Sequence, residues 1–296
     1  MTEDRSARRW ANDLTILLNK VLGSDRFPVD IPSVAKEYSR QKYPDDPVTL
    51  VVGDSLPDFD GALMRAPAGK KGWGIFYNTA IASKGRVNFT LAHEFGHYLM
   101  HRVRNPAGLR CGQQDVVRWD SEYGQIEHQA NVFAANILMP LDDYRRQVDP
   151  RSKVDIDALT QCAERYKVSL IAAALQWLKY TERRAVLVVS RDGYILWARS
   201  SDSALKTRAY FRTSSGPIEV PAKSLVGRQD LSADVRTGID LPAGVWFNEP
   251  VREMTIFAEQ YDFAVSLLML SNDPPSFEKG RDEDAYDWTT RRQRRQ

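Results

Sequence analysis

Leu91-Ala92-His93-Glu94-Phe95-Gly96-His97-Tyr98-Leu99-Met100-His101 is the stretch that decides how this chain is read. Histidines four residues apart sit one turn apart on one helical face, so His93 and His97 can reach a single cation. Glu94 projects beside them, where it can take a proton from water. At about 100° per residue, Leu91, Phe95 and Leu99 fall on nearly the opposite face. The expected helix, over 87–102, is therefore apolar behind and metal-bearing in front. A bland polar patch on a core helix is the alternative. It would bury two facing imidazoles and a carboxylate with nothing to offset the cost.

A catalytic zinc takes three protein ligands and keeps one position open. His101 lies one more turn along, and a rise of about 6 Å carries it out of reach of a shared metal bond. It reads instead as an outer or substrate-side residue. Met100 stands where another zinc signature would need glycine, so the third ligand is expected from a different helix. Asp120, Glu122, Glu127 and His128 are the candidates. Glu127 leads, at the start of a helix expected over 126–138. Ala130 and Ala134 are small residues on its face that allow close approach to the histidine helix. Asn131 is placed to orient the carboxylate. The plain alternative for Glu127 is a first-turn acid facing the helix dipole. His128 points about 100° away.

Working outward, Trp10, Leu14, Leu17, Leu18 and Val21 make an apolar helical stripe over 5–22. A second helix starts near Pro32. Strand-like runs follow at 49–52, 62–65 and 73–77, with Gly and Pro between them. Residues 103–121 read as an irregular loop. Helices expected over 156–166 and 169–180 look like a helix-turn-helix, although a plain helical hairpin is the commoner arrangement. After 181 the pattern changes. Runs at 185–190 and 194–198 flank Arg191-Asp192-Gly193, a hairpin signal. Further strand-like runs fall at 207–212, 218–220 and 263–270, and 254–261 is ambiguous. The expectation is an α+β chain: a protease-like domain over 1–181, a smaller sheet-rich domain over 182–272, and a charged disordered tail over 273–296.

Bulk composition narrows the class. The 296 residues are 43% hydrophobic and 27% charged, enough for a substantial core. Lysine and arginine exceed the acids by only two, which gives no strong whole-molecule attraction for nucleic acid. The start is polar, no long apolar run suggests a membrane span, and two cysteines are too few for a disulfide framework, so a cytoplasmic protein without membrane contact is expected.

His93-Glu94-Phe95-Gly96-His97 followed by Glu127-His128-Gln129-Ala130-Asn131-Val132-Phe133-Ala134-Ala135-Asn136-Ile137-Leu138-Met139-Pro140 resembles the ImmA/IrrE family of metallo-endopeptidases. The resemblance covers about residues 10–180. It implies a zincin-like (gluzincin) core with one zinc per chain on His93, His97 and Glu127, and Glu94 as base. It also implies a helix-turn-helix repressor as substrate, cut when DNA damage or phage threatens. Some members carry a GAF-like sensor where 182–272 lies. Gln129 departs from the family pattern, since many members have a second acid there. Cys111, between the histidine helix and Glu127, is placed to fold back as a fourth, inhibitory zinc ligand. This is similar to the cysteine switch of CapP-type proteases, which accompany CBASS anti-phage systems and respond to single-stranded DNA. An ordinary loop cysteine is the alternative. Cys162 reads as core.

In the expected chemistry Glu94 accepts a proton from a zinc-activated water and returns it to the leaving amine. Tyr98, His101 and His128 are the candidate oxyanion donors. An extended substrate is expected along an edge strand formed by Trp73, Gly74, Ile75, Phe76 and Tyr77. Arg199, Lys206, Arg208 and Arg212, beside Tyr210 and Phe211, make a scattered basic face for a polynucleotide activator. The rival from another class is a DNA-binding transcriptional regulator with a structural zinc site, reading DNA through 155–180.

Overall fold

The computed structural model describes residues 6–111, 122–229, 236–258 and 262–272, without the side chains of Arg110, Cys111 and Glu122. Helices α1 (Ala7–Leu22) and α2 (Ile31–Lys42) come first, then strands β1 (Val48–Asp54), β2 (Gly61–Arg65) and β3 (Trp73–Asn78). Helix α3 (Lys84–Met100), strand β4 (Gly108–Cys111) and helix α4 (Glu122–Leu138) follow, with α5 (Leu141–Gln147), α6 (Ile156–Tyr166) and α7 (Leu170–Leu178) behind them. The remainder is β5 (Ala185–Arg191), β6 (Tyr194–Ser200), α8 (Asp202–Lys206), β7 (Ile218–Glu219), α9 (Leu225–Arg228), β8 (Ile239–Leu241), β9 (Val251–Ala258) and β10 (Phe263–Leu270). The expected tail over 273–296, and Asp120, lie outside the described residues.

The first sheet has the order β1-β3-β2-β4. β1 runs parallel to β3, and β2 is antiparallel to both β3 and β4. This corrects one expectation. Trp73–Asn78 is an interior strand whose main-chain groups are taken on both sides, so it offers no edge to a substrate. The strand on the outside beside β2 is β4, cut from the stretch that reads as an irregular loop. Its pairing is non-local and begins at Gly108, where φ is +108°. A Cβ there would lie 2.3 Å from the Leu63 carbonyl oxygen, so glycine is required at this point.

Helix α3 begins at Ser83, whose hydroxyl accepts from the Arg86 amide and caps the first turn. It lies across β2 and β3. Leu91, Phe95 and Leu99 are buried with Leu63, Trp73 and Ile75 of the sheet in one core. Helix α4 packs on α3 at short range, because a Cβ on Gly96 would lie 2.9 Å from the Phe133 ring and 3.4 Å from Ala130 Cα. Ala130 and Ala134 are fully buried at that contact, as their size suggests.

The second sheet is antiparallel, ordered β7-β6-β5-β10-β9-β8. Asp192 (φ 52°) and Gly193 (φ 78°) turn the β5–β6 hairpin in the left-handed region, the geometry the Asp-Gly pair announces. Its two faces bury different neighbours. Leu187, Val189, Val265 and Leu267 join the core that contains Trp177 and Leu178 of α7. Val186, Val188, Leu268 and Leu270 form a second core with Trp246 and Leu241. Where a strand reads over 207–212, the chain instead leaves α8 through a turn with Arg208 at φ 61°. There Phe211 packs against Trp246 and Phe247, at centroid distances of 5.8 and 5.0 Å. It belongs to the second core rather than to an open stacking surface for bases. Arg199, Arg208 and Arg212 are less buried, and Arg212 lies over Tyr210 and donates to its hydroxyl.

The helical pair over 155–180 is a packed hairpin. Every residue of α7 is buried or half-buried, and Leu-Ile-Ala-Ala-Ala-Leu-Gln-Trp-Leu carries no charge. A helix of that kind carries no charged side chain for a phosphate backbone. Among the described residues, no helix is long and apolar enough to cross a membrane.

Candidate metal centre

His93 and His97 project from the second half of α3, and Glu127 from the first half of α4. All three are buried. The Nε2 atoms of His93 and His97 lie 2.9 Å apart. The Glu127 carboxylate spans them, with Oε2 3.1 Å from His93 Nε2 and Oε1 3.2 Å from His97 Nε2. Among the described residues, these three form a group whose candidate ligand atoms all lie within 4.8 Å of one another. Metal–ligand bonds of about 2.0–2.1 Å in a tetrahedron place the ligand atoms about 3.3 Å apart. The observed spacings are close to three corners of that figure, and two imidazoles with one carboxylate are an ordinary zinc donor set. The residues fit the ion.

The electrostatics agree. Burial pushes His97 down to about 4, against the pull of Glu127, so the ring is neutral at pH 7 and its lone pair is available. Burial would raise the Glu127 carboxyl, but hydrogen bonds from His93 and His97 outweigh it and hold the group well below the usual carboxylate range. For His93, burial is opposed by Glu127 and Glu94, and the net direction is upward. Two carboxylates facing paired imidazoles draw a positive charge to this point.

Glu94 is fully buried on the same helix. Gly61 of β2 leaves room for it: a Cβ there would lie 2.7 Å from Glu94 Oε1 and 2.5 Å from Thr90 Cγ2. Nothing in the sequence marks Gly61 as part of a site, because the contact comes from sheet-to-helix packing. Its partner in the β2–β4 register is Cys111. The backbone of Cys111 is thus in a strand next to the site rather than in a free loop.

Several expected roles move. Asn131 Oδ1 lies 3.0 Å from His93 Nδ1 and so holds that ring. The Tyr98 hydroxyl donates to the Asp46 carbonyl at 2.7 Å, and its buried ring stacks on Phe95. His101 is 4% exposed and sits behind His97, Nδ1 to Nδ1 at 2.9 Å, away from any substrate side. Gln129, which the sequence marks only as a departure from a pattern, lies 3.0 Å from His101 Nε2. His128 is exposed, and its ring is not among the converging groups. Cys162 is buried in the core, where burial pushes its thiol up.

Comparison with known families matches residues 48–177 to Peptidase_M78, the IrrE N-terminal-like domain. No curated protein matches the chain. The matched span runs from β1 to α7 and so contains both metal-bearing helices and the sheet beneath them. Over residues 48–177 this chain is therefore similar to the IrrE N-terminal-like domain, Peptidase_M78, which supports an ImmA/IrrE-family metallopeptidase.

Proposed function

We propose that the protein is a zinc-dependent endopeptidase, with His93, His97 and Glu127 as the metal ligands and Glu94 as the general base. The observation that carries this reading is the convergence of two imidazole Nε2 atoms and one carboxylate within 3.2 Å on facing helices. Zinc bound there supplies Lewis acidity and a water acidic enough to give up its proton near pH 7. Glu94 takes that proton and passes it to the leaving amine, and burial keeps competing solvent from its carboxylate. β4 has no strand partner on its outer side among the described residues. It is the strand on which an extended peptide docks by main-chain hydrogen bonds.

The substrate class and its control rest on the family. The reading is that the enzyme cuts a helix-turn-helix repressor in response to DNA damage or phage infection. Cys111 holds it inactive as a fourth ligand until single-stranded DNA acts through the GAF-like second sheet. The register that sets Cys111 opposite Gly61, against which Glu94 packs, supports the switch.

The test uses the zinc-loaded chain and a helix-turn-helix repressor protein as candidate substrate. Glu94→Gln is expected to keep its zinc and lose cleavage by about a hundredfold or more. Undiminished cleavage by that variant refutes the base. Single-stranded DNA is expected to speed the wild type, and Cys111→Ala to remove the need for it.

A further inference from the structure

We propose that the cavity between α3, α4, α7 and the second sheet is a substrate pocket of the metal site, and that it takes a large apolar side chain two to four residues from the cut bond. The inference rests on the endopeptidase reading above. Helices α3 and α4 pack antiparallel in steps of four residues. His97 meets Glu127, and His93 meets Asn131. The next two steps, Phe89 with Ala135 and Gly85 with Met139, line a cavity of about 640 Å³. A volume of that order holds a large side chain and part of its neighbour. The row that begins as a metal centre thus continues as a pocket. Four helical residues rise about 6 Å, and an extended peptide advances about 3.3 Å per residue. One to two steps along the helices therefore match two to four residues of substrate. Phe89, Asn131 and Ala135 are half-buried, so this stretch of the row is not sealed in the core.

The route from the docking strand leads the same way. β4 reaches Cys111 opposite Gly61, against which Glu94 packs. Asp60, the residue before Gly61, accepts from Arg86 Nε at 3.2 Å, and Arg86 lines the cavity. A peptide on β4 that passes Glu94 has the cavity ahead of it. The far end is closed: a Cβ on Gly85 would lie 2.6 Å from the Val168 carbonyl carbon, where the chain enters α7. Ile171 and Leu175 of α7 and Phe263 of β10 complete an apolar wall with Phe89, Ala135 and Met139. Charge stands at the mouth, where Lys179, Arg199 and Asp202 are exposed and Lys179 donates to Gln176 Oε1 at 3.0 Å. A charged side chain inside the apolar wall would give up water without compensation, whereas a leucine or phenylalanine gains by burying its surface there.

The first measurement is cleavage of randomised ten-residue peptides by the zinc-loaded full chain with single-stranded DNA present, the products being sequenced by mass spectrometry. Leu, Ile, Met or Phe is expected to be enriched at least about tenfold over Ser and Gly at one position two to four residues from the cut bond. Ala135→Phe fills the pocket from α4, and Ala172→Phe fills it from α7. Each is expected to move that position to small residues, with zinc affinity unchanged in competition with a chelator. Melting temperature identifies a variant that fails to fold, and the other then carries the test. The second measurement needs no turnover: binding of the best-cut peptide to zinc-loaded Glu94→Gln, read by fluorescence anisotropy. Replacing the apolar residue of the peptide by Ser, or adding Ala135→Phe, is expected to weaken binding about tenfold, and the two together no more than either alone. No apolar preference in that range, a wild-type profile in the folded variants, or fully additive losses overturns the pocket and leaves the endopeptidase reading standing. Zinc binding without cleavage of any peptide refutes that reading and the pocket with it.

Discussion

A single hydrogen atom at position 61 decides how much space Glu94 has. A methyl group there would meet Thr90 Cγ2 at 2.5 Å and Glu94 Oε1 at 2.7 Å. Gly61→Ala is expected to cost about 1–3 kcal/mol of stability. It is also expected to lower peptide cleavage more than zinc affinity, because it displaces the base and leaves the paired histidines in place. Melting temperature, zinc competition and cleavage rate on one preparation check this, and full cleavage would show the space to be spare. At this scale the sequence is most legible where chemistry imposes spacing. His93, Glu94 and His97 can be read directly, and Glu127 from small residues on its helical face. The contacts that Asn131 and Tyr98 make, with His93 and Asp46, are not legible there. Which neighbour an amide or a phenol meets depends on the rotation of one helix against another.

Between elements, the buried Asp143 ties α5 to α6. Tyr166 donates to it at 2.6 Å, Arg165 at 3.1 Å, and Arg146 at 3.0 Å. Burial would raise its carboxyl, but these partners outweigh burial and bring it below its ordinary value. A carboxyl lowered on folding stabilises the protein at neutral pH, and that share is lost as pH falls below about 4. Asp143→Asn is expected to destabilise the chain by about 3 kcal/mol at pH 7, since it strands buried donors. It should also reduce the loss of stability between pH 5 and pH 3. Denaturant unfolding at the two pH values measures both, and an unchanged acid limb would count against the cluster. Elements long enough to show a period, such as α3, α4, α6, β5 and β10, can be read in the sequence. β4 cannot: four residues whose only support is a distant strand carry no local signal. The edge was misplaced onto β3 for a related reason. Sheet order is a property of crossovers, which hydrophobic patterning leaves open.

Across the whole molecule, the composition change after residue 181 suggests two independent parts, yet one face of the second sheet completes the core that carries the metal helices. Arg184 fastens the second sheet within itself. Buried at the start of β5, it donates to both oxygens of Glu249 and to the Ser271 carbonyl. Scanning calorimetry is therefore expected to show one unfolding transition for residues 6–272, and two separated transitions would mean that the shared core does not couple them. The claim on which all of this depends is that two imidazoles and one carboxylate hold a single zinc ion. Anomalous diffraction at the zinc edge, on crystals of the zinc-loaded protein, tests it most directly. The account predicts one peak about 2.0–2.2 Å from His93 Nε2, His97 Nε2 and a Glu127 oxygen. No peak there, or a peak to which Glu127 is not bonded, would contradict it.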